Sequence, residues 1–118
     1  MNRALKMIAF QALMIAASGA VMTTIAYESK AATAAPAEVV HIGNFTFNQP
    51  VLTVRQGTTV TWVNDDDIPH TVVAKDMTFK SKVLDTGDKF SFTFAKPGQF
   101  DYFCSIHPHM TAKVIVKA

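Results

Sequence analysis

From residue 38 onward, apolar and polar positions alternate in short runs rich in Val, Phe and Thr, broken by turn formers, and no stretch repeats at the helical period. Val51-Leu52-Thr53-Val54 stops at Arg55-Gln56-Gly57. Thr59-Val60-Thr61-Trp62-Val63 stops at Asn64 and three aspartates, so each reads as a strand closed by a turn. These two neighbours are expected to pair with one another. Lys89-Phe90-Ser91-Phe92-Thr93-Phe94 puts three phenylalanines on one face and Lys, Ser and Thr on the other, the pattern of a strand lining a core. Pro97-Gly98 supplies a tight turn, after which Phe100, Tyr102 and Cys104 share a face. Ala112-Lys113-Val114-Ile115-Val116-Lys117 closes the chain. About seven or eight strands are predicted, which makes the domain all-β and either a sandwich or a small barrel. The stretch from Ala74 to Asp88 is polar and irregular, and is expected to wander over the surface.

The N-terminus follows another pattern. Arg3 and Lys6 precede Met7 to Tyr27, which carry no charge, and small residues follow in Lys30-Ala31-Ala32-Thr33-Ala34-Ala35-Pro36-Ala37. A charged start, an apolar run and small-x-small sites predict a signal peptide over residues 1–34, cut somewhere between 26 and 37 and preferentially after Ala34 or Ala37. The competing reading is an uncleaved membrane anchor, since a span needs about 20 apolar residues; Gln11, Ser18, Thr23 and Thr24 weaken it. Either way residues 35–118 form one exported, periplasmic domain, with no membrane association unless the N-terminal segment is kept.

The 118 residues hold 11 Lys and Arg against 9 Asp and Glu. From Ala35 onward the balance is eight against eight, so the domain has no basic excess for nucleic acid. A small exported domain usually leans on disulfides, yet the one cysteine, Cys104, cannot form one internally.

Cys104-Ser105-Ile106-His107-Pro108-His109-Met110 sets a thiol, an imidazole and a thioether at i, i+3 and i+6 between two strands. A straight strand cannot bring those atoms together, but a curled loop can, and Pro108 restricts the bend. His70, at the opening of Thr71-Val72-Val73, is the candidate fourth ligand. Two imidazoles, a thiolate and a weak thioether form the donor set of a blue-copper electron-transfer centre. Zinc is the rival, although its structural sites favour three or four strong ligands and Met110 suits them poorly. Taken singly, Cys104 reads equally as a buried apolar residue, His107 as a surface residue, Met110 as core filling and His70 as the start of a strand. His41 and His109 read as surface residues, Met77 as a packed or exposed methionine, and the aspartate run as a solvated turn. A Cys104 nucleophile with a His107 base leaves Met110 unexplained and lacks an orienting carboxylate.

Val60-Thr61-Trp62-Val63-Asn64, Pro69-His70 and Phe100 to Met110 resemble, in order and spacing, the two copper-binding segments of the type I copper proteins, or cupredoxins, and within them the amicyanin and plastocyanin-like group. The resemblance covers nearly all of Val39 to Lys117, and Cys-x-x-His-Pro-x-Met is similar to the short amicyanin loop. It implies a Greek-key β-sandwich, His70, Cys104 and His107 as equatorial copper ligands, and Met110 as the axial one. It also implies a monomeric, non-enzymatic one-electron carrier between redox proteins that dock transiently near His107 and Pro108. Ile68, Pro69, Pro108 and His109 are expected to rim that port. A periplasmic copper carrier or resistance protein is the alternative. Two departures stand out. Thr71 replaces the Asn that in many members follows the first ligand His and ties the ligand segments, and Ala112 stands where relatives often have Gly.

Overall fold

The computed structural model describes residues 36–118, and the signal-peptide assignment over residues 1–34 lies outside them. Eight strands follow in chain order: β1 Ala37–Gly43, β2 Thr46–Phe47, β3 Val51–Arg55, β4 Thr59–Asn64, β5 Val73–Ala74, β6 Lys89–Thr93, β7 Gly98–Phe103 and β8 Thr111–Lys117. They build two four-stranded sheets, ordered β2-β1-β4-β6 and β3-β8-β7-β5, in an all-β sandwich. Among the described residues there is no helix.

The period-two pattern sets which face of each strand is buried. In β4, Val60, Trp62 and Asn64 point inward; in β8, Val114 and Val116; in β3, Leu52 and Val54. The expected Phe face of β6 packs on the core through Phe90 and Phe92 and continues into fully buried Phe94. Trp62 lies at the centre, stacked on Phe79 at 5.5 Å and edge-on to Tyr102 at 5.4 Å.

Two expectations are corrected. β3 and β4 do not pair: β3 runs parallel to β8, from Val51 opposite Lys113 to Arg55 opposite Lys117, and β4 lies between β1 and β6 in the other sheet. Alternation fixes the face a strand buries but not its neighbour, and the turn at Gln56-Gly57 carries the chain across the core instead of back along its own sheet. The stretch from Ala74 to Asp88 is no surface excursion either. Its Phe79 and Leu84 are buried, and backbone bonds from Ala74 to Phe79, Ser81 to Val72 and between His70 and Leu84 zip it against the segment bearing His70.

Candidate metal centre

Sheet register brings the two candidate segments together. β5 pairs antiparallel with β7, Val73 opposite Phe103. Continuing that register beyond both strands sets Thr71 against Ser105 and brings His70 beside the loop that leaves β7. Beyond Cys104 the chain makes two successive turns, with the His107 amide donating to the Cys104 carbonyl (3.2 Å) and the Met110 amide to the His107 carbonyl (2.9 Å). The Cys104 amide then closes the loop on the Met110 carbonyl at 3.1 Å. The i, i+3, i+6 spacing is thus the spacing of two consecutive turns. Pro108 takes the second position of the second turn, where its fixed φ is favoured.

The result is a compact N2S group. Cys104 Sγ lies 3.7 Å from His70 Nδ1 and 3.7 Å from His107 Nδ1, and all three donor atoms fall within 4.8 Å of one another. His70 and Cys104 are fully buried, whereas His107 is half-buried. Met110 is 5% exposed and anchored by the loop bonds above.

The far side of His70 explains its orientation. Nε2 lies 3.0 Å from Asp66 Oδ2. A carboxylate only accepts, so Nε2 carries the proton and Nδ1 turns an unprotonated lone pair toward the sulfur. Asp66 also accepts the Phe45 amide at 3.0 Å, and that bond first, then the one from His70, lowers its carboxyl to about 2. The aspartate run is therefore more than a solvated turn. Asn64 shapes it: buried at the end of β4, its side-chain amide donates to the Ile68 and Leu84 carbonyls and its oxygen accepts the Asp66 amide, all at 2.9 Å. At the thiol, burial opposes ionisation. Hydrogen bonds donated to the sulfur, the Thr71 amide's above all and then the Ile106 amide's, outweigh it and bring Cys104 down to about 6.

Phe45 has no counterpart in the sequence reading. Asn44 and Phe45 both have positive φ, 51° and 58°, between the paired residues Gly43 and Thr46, as in a two-residue hairpin of the type I′ kind. A bulky side chain is rare in that conformation. The Asp66 bond holds it there, and the Phe45 ring stands edge-on to His107 at 5.0 Å and to His70 at 5.8 Å. With Ile106, His107, Pro108, His109 and Met110 it lines a surface cleft of about 440 Å³. Of the expected rim, Pro108 and His109 line this cleft, and Phe45 and Ile106, 52% and 44% exposed, join them. A polar Asn followed by an aromatic between Ile42 and Phe47 was the available signal, obscured because such a turn usually has Gly in second place. Ala112 lies within β8 and is not among the described non-glycine residues with positive φ, so its lack of glycine freedom carries no strain. His41 and His109 are exposed as expected, His41 paired with Asp65, and Met77 is exposed at a positive-φ turn.

These donors fit one soft or borderline metal ion. Bonds of about 2.0 Å to nitrogen and 2.3 Å to sulfur, meeting near a trigonal angle, separate the donors by close to the observed 3.7 Å. Among the described residues no further His, Cys or carboxylate joins the trio, so a closed zinc site lacks its fourth strong ligand. A nucleophilic role for Cys104 is disfavoured because its side chain is fully buried, out of reach of a substrate in solution.

Residues 14–116 match the cupredoxin-like domain family. Amicyanin of Paracoccus denitrificans is 36% identical over 102 residues, covering 80% of this chain and 78% of that protein. Amicyanin-alpha of Methylorubrum extorquens is 31% identical over 121 residues, covering 96% and 100%. Among solved structures, the copper(I) form of an amicyanin variant superposes with a TM-score of 0.65 at 37% identity, over 74% of this chain and 88% of that one. A purple cupredoxin from Nitrosopumilus maritimus gives 0.63 at 34%, over 69% and 99%. An N2S trio built by two turns at the end of a β-sandwich, with relatives of this closeness, means that the chain belongs to the cupredoxin family, as an amicyanin-like copper protein that is not an enzyme.

Proposed function

We propose that this protein is a periplasmic one-electron carrier that shuttles electrons between redox proteins through a single type I copper ion. His70, Cys104 and His107 would hold the metal as its strong ligands, and Met110 would add a weaker sulfur donor. Bound there, copper supplies one-electron chemistry between its cuprous and cupric states. The chain's own contribution is rigidity: His70 is fixed by the bond from Nε2 to Asp66, Cys104 by its place at the end of β7 and the loop bonds, and His107 by two turn bonds. A fixed donor set reorganises little when charge changes, which favours fast transfer.

The observation that carries this reading is the unequal exposure of the two histidines. One is sealed and braced by Asp66, while the other opens on an apolar cleft rimmed by Phe45, Ile106 and Pro108. A small apolar patch around one exposed ligand suits brief docking with a redox partner and does not require a substrate pocket. The opposing reading, copper delivery, needs a ligand set that opens readily, and this one is held by backbone bonds on both sides.

Pro108→Glu places a charge on that patch without touching a donor atom. It is expected to slow the second-order rate of electron exchange with a redox partner about tenfold or more, by destabilising encounter, while leaving the visible spectrum in place. Stopped-flow mixing with an oxidised or reduced partner protein measures it. An unchanged rate contradicts docking at this face, and ready transfer of cuprous copper to an acceptor protein supports the carrier reading instead.

A further inference from the structure

Thr71 binds the two ligand segments in a way that also reaches the sulfur. Its amide donates to Cys104 Sγ at 3.4 Å, and its hydroxyl oxygen lies 3.8 Å from the same atom. That oxygen accepts the Ser105 amide at 2.7 Å and meets the Ser105 hydroxyl at 2.8 Å. A single threonine hydroxyl therefore spans the gap between the segments.

The proton count decides where the hydroxyl points. Thr71 Oγ1 has one proton and two lone pairs. The Ser105 amide takes one lone pair. If Thr71 gave its proton to Ser105, a lone pair would face the buried thiolate, leaving the sulfur only the amide bond. Ser105 is exposed, so solvent can reach it, whereas Cys104 is fully buried and its sulfur depends on protein donors. The arrangement that satisfies every group has the Ser105 hydroxyl donating to Thr71 and the Thr71 hydroxyl donating to sulfur.

We propose that the Thr71 hydroxyl is a second hydrogen-bond donor to the Cys104 sulfur, aimed there by Ser105, and that this pair raises the reduction potential of the centre. Donors to the thiolate stabilise negative charge, and the reduced site carries one more negative charge than the oxidised one. The pair therefore favours the reduced state. Thr71 and Ser105 are positioning residues: neither touches the metal, and both act through the sulfur. The proposal rests on Cys104 being the copper thiolate.

The test is the midpoint potential and visible band of the copper-loaded protein in three variants. Thr71→Val keeps the shape and the backbone amide but loses the hydroxyl. It is expected to lower the equilibrium constant for reduction about tenfold, or about 59 mV for one electron, and to move the thiolate-to-copper band. Thr71→Ser restores both values. Ser105→Ala is expected to lower the potential too, but by less than Thr71→Val, because sulfur remains the acceptor for Thr71 while Ser105 no longer aims its hydroxyl. In the diamagnetic cuprous protein, NMR should show a slowly exchanging Thr71 hydroxyl proton. A blue Thr71→Val protein of unmoved potential overturns the proposal, as does a rise in Ser105→Ala, which would mean that the parent's Thr71 proton goes to Ser105. A parent protein without a blue band overturns the copper-thiolate reading itself, and this proposal with it.

Discussion

Trp62→Ala is expected to remove about 3–5 kcal/mol of folding stability, the range for losing a large aromatic from a packed core. Trp62 is fully buried at the middle of the sandwich, with Phe79, Phe90, Phe94 and Tyr102 around it. Four aromatic neighbours cannot all collapse into the space, so most of the cavity persists. Domains of this kind have a net stability of about 5–15 kcal/mol in total, so the variant stands near the edge of folding. Trp62→Phe should cost much less. It keeps most of the contact surface and removes an indole N–H that has no partner in the core. Urea unfolding of the metal-free proteins, followed by far-ultraviolet circular dichroism, measures both; bound metal would mask the difference by mass action. An alanine variant within about 1 kcal/mol of the parent contradicts the central place given to Trp62.

The second large effect is on metal retention. Asp66→Ala is expected to weaken copper binding about 10- to 100-fold, the usual loss when the carboxylate behind a ligand histidine is removed. Two supports go at once: His70 Nε2 loses its acceptor, so the tautomer with Nδ1 free is no longer enforced, and the Phe45 amide loses its anchor. Asp66→Asn should fall between, since its amide oxygen still accepts one bond but carries no charge. Competition against a calibrated chelator gives the affinities, and an Asp66→Ala protein that binds as tightly as the parent contradicts the brace. The carboxyl is held at about 2, below its ordinary 3.8. The support it gives is therefore complete above about pH 4 and fades only as pH falls toward 2.

Much of this was written locally in the chain. The Cys104, His107 and Met110 part of the candidate set was legible because its spacing of three is that of two consecutive turns, a short-range device, whereas His70 arrives from another segment. The face of β6 was legible for the same reason, since alternation acts within one strand. What was hidden depends on partners distant in sequence. β3 found β8 rather than β4 because a strand's alternation says nothing of which sheet it joins. Phe79 and Leu84 are isolated apolar residues in a polar stretch, too sparse to show a period, and only the core that receives them makes them structural. Asp66 looked like its two neighbours. It differs through Asn64, which folds the run so that one carboxylate of three meets His70. Thr71 was visible as a departure from many relatives, but its role comes from standing opposite Ser105 in the β5–β7 register.

The most direct test of the account is the visible absorption and electron paramagnetic resonance of the domain loaded with cupric copper, beside Cys104→Ser. The account predicts an intense blue band and a narrow copper hyperfine splitting, both lost in the serine variant, because they require a thiolate bonded to copper in the His70, Cys104, His107 group. A colourless parent protein that holds copper or zinc, with a spectrum indifferent to Cys104, would contradict it.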